Sequence, residues 1–137
     1  MTTALITSDP ISAAELTKIV ESDEFGAVVI FVGKVRNNDG EKVVTSLMYE
    51  VHPQAQEVLL EIITEVAAEF EIGHVAAAHR YGPIEIGEAA FILAVSAVHR
   101  GPALTACSKL VDEIKSRLPI WKYQTFSDGS TEWVNTA

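Results

Sequence analysis

The sequence is poor in cysteine, in basic residues and in long apolar runs, and each shortage removes a class of function. A single cysteine, Cys107, among 137 residues excludes an internal disulfide and any zinc site built mainly from thiolates, and it limits redox chemistry. Only 10 lysines and arginines stand against 19 acidic residues, for a formal net charge of −9. The broad cationic surface that phosphate backbones and anionic membranes select is therefore missing, and neither nucleic acid nor membrane is expected as a partner. The longest apolar stretches, such as AAFILAVSAV (89–98), fall short of the ~20 residues that cross a bilayer. Met1 is followed by TTALITSD rather than by a basic start and an apolar run, so a soluble, cytoplasmic protein is expected. The G-x-S-x-G, P-loop and G-x-G-x-x-G signatures are absent. His52, His74, His79 and His99 form neither H-x-x-x-H nor H-E-x-x-H, so neither a metal site nor a cofactor is expected.

What is present reads as one globular domain spanning 1–137, with 48% hydrophobic and 21% charged residues and no repeat or linker tract. A chain of this size removes roughly two thirds of its unfolded surface from water. SDPISAAELTKIVES (8–22) carries Asp9 and Ser12 as possible caps, Pro10 near the first turn and Glu15 three residues after Ser12, the marks of a helix start. GAVVIFVG (26–33) and VVTSLMYEV (43–51) read as strands joined by a polar, hairpin-like loop, RNNDGEK (36–42). From Pro53 to near Gly73, apolar residues at Val58, Leu59, Ile62, Ile63, Val66, Ala67 and Phe70 make the stripe of a long amphipathic helix. HVAAAHRYG (74–82) and AAFILAVSAVHR (89–100) read as strands joined by the turn GPIEIGE. A third helix, 101–118, carries Leu104, Cys107, Val111, Ile114 and Leu118 on its stripe and stops at Pro119. PIWKYQTF, SDGS and TEWV then form a closing hairpin. Without strict strand–helix alternation, the expected class is α+β, a largely antiparallel sheet packed with helices.

The few basic residues are unevenly placed. Lys109, Lys115, Arg117 and Lys122 crowd the stretch 109–122; Lys34 and Arg36 follow the first long strand; and His99 and Arg100 stand where a strand gives way to a helix. Free backbone N–H groups and the helix dipole favour an anion at such a junction, and these residues suggest a pocket for a small anionic ligand. Two roles are open to Lys115 and Lys122. Cations at a helix C-terminus offset its dipole and stay solvated. Alternatively they are catalytic: Lys122 follows Ile120 and Trp121, and a lysine partly desolvated there beside another cation has its pKa lowered toward the range suited to proton transfer or attack on a carbonyl. The same pair of readings, solvated strand end or anion contact, applies to His99 and Arg100. Cys107, on the apolar stripe, reads as a packed, inert thiol.

Five segments, GAVVIFVGKVRN, YEVHPQA, HRYGPIEIGE, SAVHRGPAL and DEIKSRLPIWKYQ followed by DGSTEWV, together resemble the catalytic (large) subunit of molybdopterin synthase, from about Gly26 to Val134. The pattern K-x-x-x-P-x-W-K with HR upstream is the most specific part. The resemblance implies the family's α/β hammerhead-type fold and a sulfurtransferase of molybdenum cofactor biosynthesis. That enzyme converts cyclic pyranopterin monophosphate to molybdopterin, with two sulfurs delivered as a C-terminal Gly-Gly thiocarboxylate on a small ubiquitin-like subunit. It further implies a homodimer within a heterotetramer. By motif, Lys115 and Lys122 match the catalytic lysines. Lys34, Val35, Arg36, His99, Arg100, Tyr123 and Gln124, with both lysines, match substrate-binding positions, His99 and Arg100 acting from the neighbouring subunit. Gln124 stands where the family often has glutamate, and contacts made by longer C-terminal tails are not expected here. Two other functions fit the residues: a non-catalytic pterin or small-anion binding protein of the same fold, and an interaction scaffold for a ubiquitin-like protein.

Overall fold

A computed structural model describes residues 1–135; Thr136 and Ala137, the end of the expected domain, lie outside the described residues. In chain order the elements are β1 (Thr2–Thr7), α1 (Ala13–Val20), β2 (Ala27–Lys34), β3 (Asn38–Asp39), β4 (Lys42–Val51), α2 (Ala55–Ala67), β5 (Val75–Arg80), β6 (Gly82–Ile84), β7 (Ala89–Ala97), α3 (Arg100–Arg117), β8 (Ile120–Phe126) and β9 (Thr131–Val134). They build two sheets, one in the order β1-β5-β7-β2 and the other β3-β4-β8-β9 with β6 also against β4. Only the β1–β5 pair is parallel among the described strands, so the sheets are largely antiparallel and the α+β class holds.

The central strands of the first sheet read as unbroken apolar runs because both of its faces are covered. Successive side chains point to opposite faces. Val75, Ala77, Phe91, Leu93 and Val95 therefore join the main core with α2 and α3, while Ala76, Ala78, Ile92 and Ala94 meet Leu16 and Val20 of α1. Ser12 caps α1 by accepting a hydrogen bond from the Glu15 backbone N–H at 3.4 Å. On α2 the expected stripe lies inward, with Leu59, Ile62, Ile63 and Val66 buried, but the helix ends at Ala67 rather than near Gly73. Gly73 instead touches the Phe25 ring so closely that a Cβ would fall 2.4 Å from it.

The structure departs from sequence expectation at four further places. β1 is not among the elements expected from the sequence; it pairs with β5 from Thr2↔Val75 to Thr7↔Arg80. The loop 36–42 does not join two paired strands, since β2 lies on β7 in the first sheet and β4 on β8 in the second. It contains its own hairpin, β3 on β4, turning at Gly40, whose φ of 63° suits a residue without a Cβ. The turn 82–88 contains β6, which crosses to the second sheet and pairs with Leu47–Tyr49. Finally, α3 is rotated from the expected stripe: Ala103, Ala106, Cys107, Leu110 and Ile114 are buried, whereas Leu104 is 55% exposed. Alanines let this helix approach the sheet closely, and a pattern weighted toward large residues misses them.

The adjacent leucines of α2 give a clear test of this packing. Leu59 is 0% and Leu60 43% exposed. In urea denaturation, Leu59→Ala should lose about 2–5 kcal/mol through a core cavity, and Leu60→Ala less than about 1 kcal/mol.

Candidate active site

Lys115 and Lys122 meet because the chain reverses between them. α3 ends at Arg117, where the Leu118 N–H donates to the Ile114 carbonyl at 2.9 Å, and Pro119 leads straight into β8. In β8 the alternation places Ile120, Lys122, Gln124 and Phe126 on one face. The antiparallel register sets Lys122 opposite Tyr49 of β4. These residues line a cavity of about 310 Å³ with Gly33, Lys34 and Arg36 from the end of β2 and the segment after it, and Ala90 and Phe91 from the start of β7. A bulge between Gly33 and Lys34 marks the β2 side of the opening. Four cationic side chains thus surround a space walled by two aromatic rings.

The pKa of Lys115 is lowered, by partial desolvation first and by the charge of Lys122 second. Burial pushes the Tyr49 phenol up to about 12, so it stays a neutral O–H. Behind the wall lies His79, fully buried, edge-on to Tyr49 with centroids 4.9 Å apart and stacked on Phe91 at 5.7 Å. Its Nδ1–H donates to the Arg80 carbonyl at 2.8 Å, which leaves Nε2 bare and without a partner. Burial lowers the His79 pKa to about 4; the bond to Arg80 opposes this and the charge of Lys115 adds to it. The imidazole is neutral at neutral pH.

The structure separates the basic cluster of 109–122. Lys109 pairs with Glu69 at 2.8 Å, and Arg117 pairs with Glu65 and Glu113, on the outer seam of α2 and α3. Lys115 and Lys122 alone of these four line the cavity. Val35 does not offer its side chain to a ligand: it is 4% exposed in the main core, its N–H donates to the Glu88 carbonyl and its carbonyl accepts from Gly87. Tyr123 lies on the opposite face of β8 from Lys122, its ring 4.7 Å from that of Trp133. Gln124 is 3% exposed and its Nε2 donates to Asp39 at 2.7 Å. Cys107 is buried, which raises its thiol pKa.

His99 and Arg100 lie elsewhere. They line a second depression with Gly26, Ala27, Val98, Gly101 and Pro102 at the start of α3. In the β2–β7 ladder, Ala27 pairs with Ala97 at that end and Lys34 with Ala89 at the other. At ~3.3 Å per residue the two ends are about 23 Å apart, too far for one small ligand in one chain. Gly33, Tyr49, Ala90 and Phe91 were not singled out from the sequence. Tyr49 lies in a strand expected from the sequence, but its place opposite Lys122 depends on a strand that begins 71 positions later.

Fold and cavity together define an α+β protein with a cationic, aromatic-walled cavity. The family model described as MoaE protein matches residues 6–117, and the chain belongs to that family. Molybdopterin synthase catalytic subunit from Bos taurus is 38% identical over 128 residues, 93% of this chain and 68% of the bovine protein. Molybdopterin synthase catalytic subunit 1 from Mycobacterium tuberculosis is 38% identical over 130 residues, covering 94% and 88% of the two chains. The crystal structure of molybdopterin synthase from Staphylococcus aureus superposes with a TM-score of 0.89 at 30% identity over 98% of each chain.

The buried imidazole predicts an acid-sensitive fold. With the His79 pKa lowered from 6.5 to about 4, the unfolded chain binds a proton that the folded chain refuses between those values. Stability is therefore full above pH 6.5 and falls as pH drops toward 4, by up to about 3 kcal/mol. Urea titrations across this range should show a shallower acid limb for His79→Phe than for wild type.

Proposed function

We propose that the chain is the catalytic subunit of a molybdopterin synthase, a sulfurtransferase that converts cyclic pyranopterin monophosphate to molybdopterin. The observation that carries this reading is the convergence of Lys34, Arg36, Lys115 and Lys122 on one cavity walled by Tyr49 and Phe91. The aromatic walls suit a flat pterin ring, and the cations suit its cyclic phosphate and the anionic thiocarboxylate of a sulfur donor. The names of the relatives support the same activity and, as catalytic subunits, a second chain. That partner is a small ubiquitin-like carrier whose C-terminal Gly-Gly thiocarboxylate enters the cavity.

In this reading Lys122, held by β8 opposite Tyr49, is nearest the attacked carbon, where it eases addition of the sulfur and loss of oxygen. Lys115, with its lowered pKa, is the acid/base and electrostatic partner and contacts the donor tail. Arg36 and Lys34 hold the phosphate. His99 and Arg100, some 23 Å away along the ladder, reach a cavity only from a second copy, which supports a homodimer within a heterotetramer. The reaction is assigned to the cytoplasm; no described helix is long and apolar enough to cross a membrane.

A single-turnover assay with thiocarboxylated small subunit and cyclic pyranopterin monophosphate, reading molybdopterin as its fluorescent oxidised derivative, tests the activity. Lys115→Ala and Lys122→Ala should each lose about 10²-fold or more in rate while still binding the small subunit. Lys122→Arg should retain ligand but lose turnover; a folded wild type that binds the pterin and forms no product would favour a protein that only binds it.

Sharing of the site between copies has its own test. Inactive Lys122→Ala and Arg100→Ala chains, unfolded together and refolded as a mixture, should recover up to about a quarter of wild-type activity, because half the dimers are mixed and each mixed dimer has one intact site. No recovery would place His99 and Arg100 outside the site.

A further inference from the structure

Gln124 lies two residues from Lys122 on the same face of β8, yet its side chain is not in the cavity lining. Its amide instead donates to the Asp39 carboxylate at 2.7 Å, a partly buried bond from a neutral donor to a carboxylate acceptor. The partners are brought together against the course of the sheet. On β4, Asp39 is opposite Lys42, whereas Gln124 is opposite Leu47. That offset along β4 is about 17 Å, so the β3–β4 hairpin must curl over the face of the sheet that carries Gln124 and Lys122.

The curled hairpin governs Arg36. On one side of Arg36, Val35 is fixed by both of its backbone groups to Gly87 and Glu88. On the other, the Asn37 carbonyl accepts from the Val44 N–H at 2.9 Å and Asn38 pairs with Val43. Arg36 is therefore the single residue between an anchor on the turn before β7 and the hairpin, and its placement follows wherever the hairpin is held. We propose that Gln124 and Asp39 are a positioning pair: their bond holds the hairpin over β8 and so sets Arg36 relative to Lys122 before ligand arrives. The proposal deepens the pterin-phosphate reading of the cavity and rests on it for the identity of the ligand. It also gives position 124 a chemical requirement. An amide can donate to Asp39; a carboxylate there would set two acceptors against each other at hydrogen-bond distance, and the hairpin would be pushed off.

The pair can be tested by reversing its polarity in the full chain assembled with its small subunit. Gln124→Glu should accelerate amide hydrogen exchange across 36–42, because the hairpin is released. It should also raise KM for cyclic pyranopterin monophosphate about 10-fold while kcat changes less than about threefold, since a smaller fraction of molecules has Arg36 in place. In the double variant Gln124→Glu/Asp39→Asn, the amide introduced at 39 donates to the carboxylate introduced at 124, and both exchange and KM should return toward wild type. Unchanged exchange in Gln124→Glu, or a double variant with native thermal stability and no recovery, overturns the positioning role. If the wild type binds the pterin without turnover, Kd replaces KM and the pair is still decided while the synthase reading falls. If it does not bind the pterin, hydrogen exchange and its rescue decide the pair alone.

Discussion

The site depends on the register between β4 and β8. Because side chains alternate with a period of two, a slip of one residue would turn Lys122 out of the cavity, carry Gln124 away from Asp39 and bring Trp121 and Tyr123 inward. Several bonds hold that register at its ends. The His52 N–H donates to the Pro119 carbonyl at 3.1 Å, where the strand pair begins, and the Ser127 N–H donates to the Val43 carbonyl at 2.9 Å, where it closes. Lys42 adds an interaction over the Phe126 ring at 4.9 Å. Everything chemical about the cleft follows from this frame: Tyr49 meets Lys122, and α3, ending just before β8, brings Lys115 to the same opening.

Of the six lysines and arginines outside the cationic cleft, four are in ion pairs. Lys42, Arg80, Lys109 and Arg117 are in ion pairs with Asp128, Glu88, Glu69, Glu65 and Glu113. Mostly exposed pairs of this kind add little stability. Their effect here is on the field, since they keep those cations from competing with the cavity for an anion. Within the cavity the charges of Lys115 and Lys122 repel one another, a repulsion that any anion placed between them would relieve. The neutral His79 behind the wall adds no charge to that repulsion.

Much of this was legible in the sequence, and the parts that were not share a cause. The stripe of α2, the capping of α1 by Ser12 and the closing hairpin are local patterns, and each appears where the residues put it. The pairing of Lys115 with Lys122 could be named from motif but not placed, because a proline lies between them and helical spacing stops there. What escaped depends on distant partners: β1 needs β5, β6 leaves a turn to join β4, and α3 turns alanines rather than Leu104 to the core. The site shows the same division. The cations were visible because they are scarce, whereas Tyr49, Phe91 and His79 looked like ordinary core residues. Val35 and Gln124, matched by motif, are buried and do not line the cavity.

The β2–β7 ladder acts as a ruler. One end carries the bulge and Lys34 beside the cavity, the other carries His99 and Arg100 at the start of α3. If two copies complete one another's sites, the length of this ladder sets where a neighbour's guanidinium arrives. Side chains along it can then change freely so long as they fit, but adding a pair of residues to each strand would move that arrival point by about 7 Å. Such a change would preserve every face and every core contact of the single chain while leaving the assembly out of step. Strand length, a quantity usually left to drift at sheet edges, becomes a catalytic dimension of this fold.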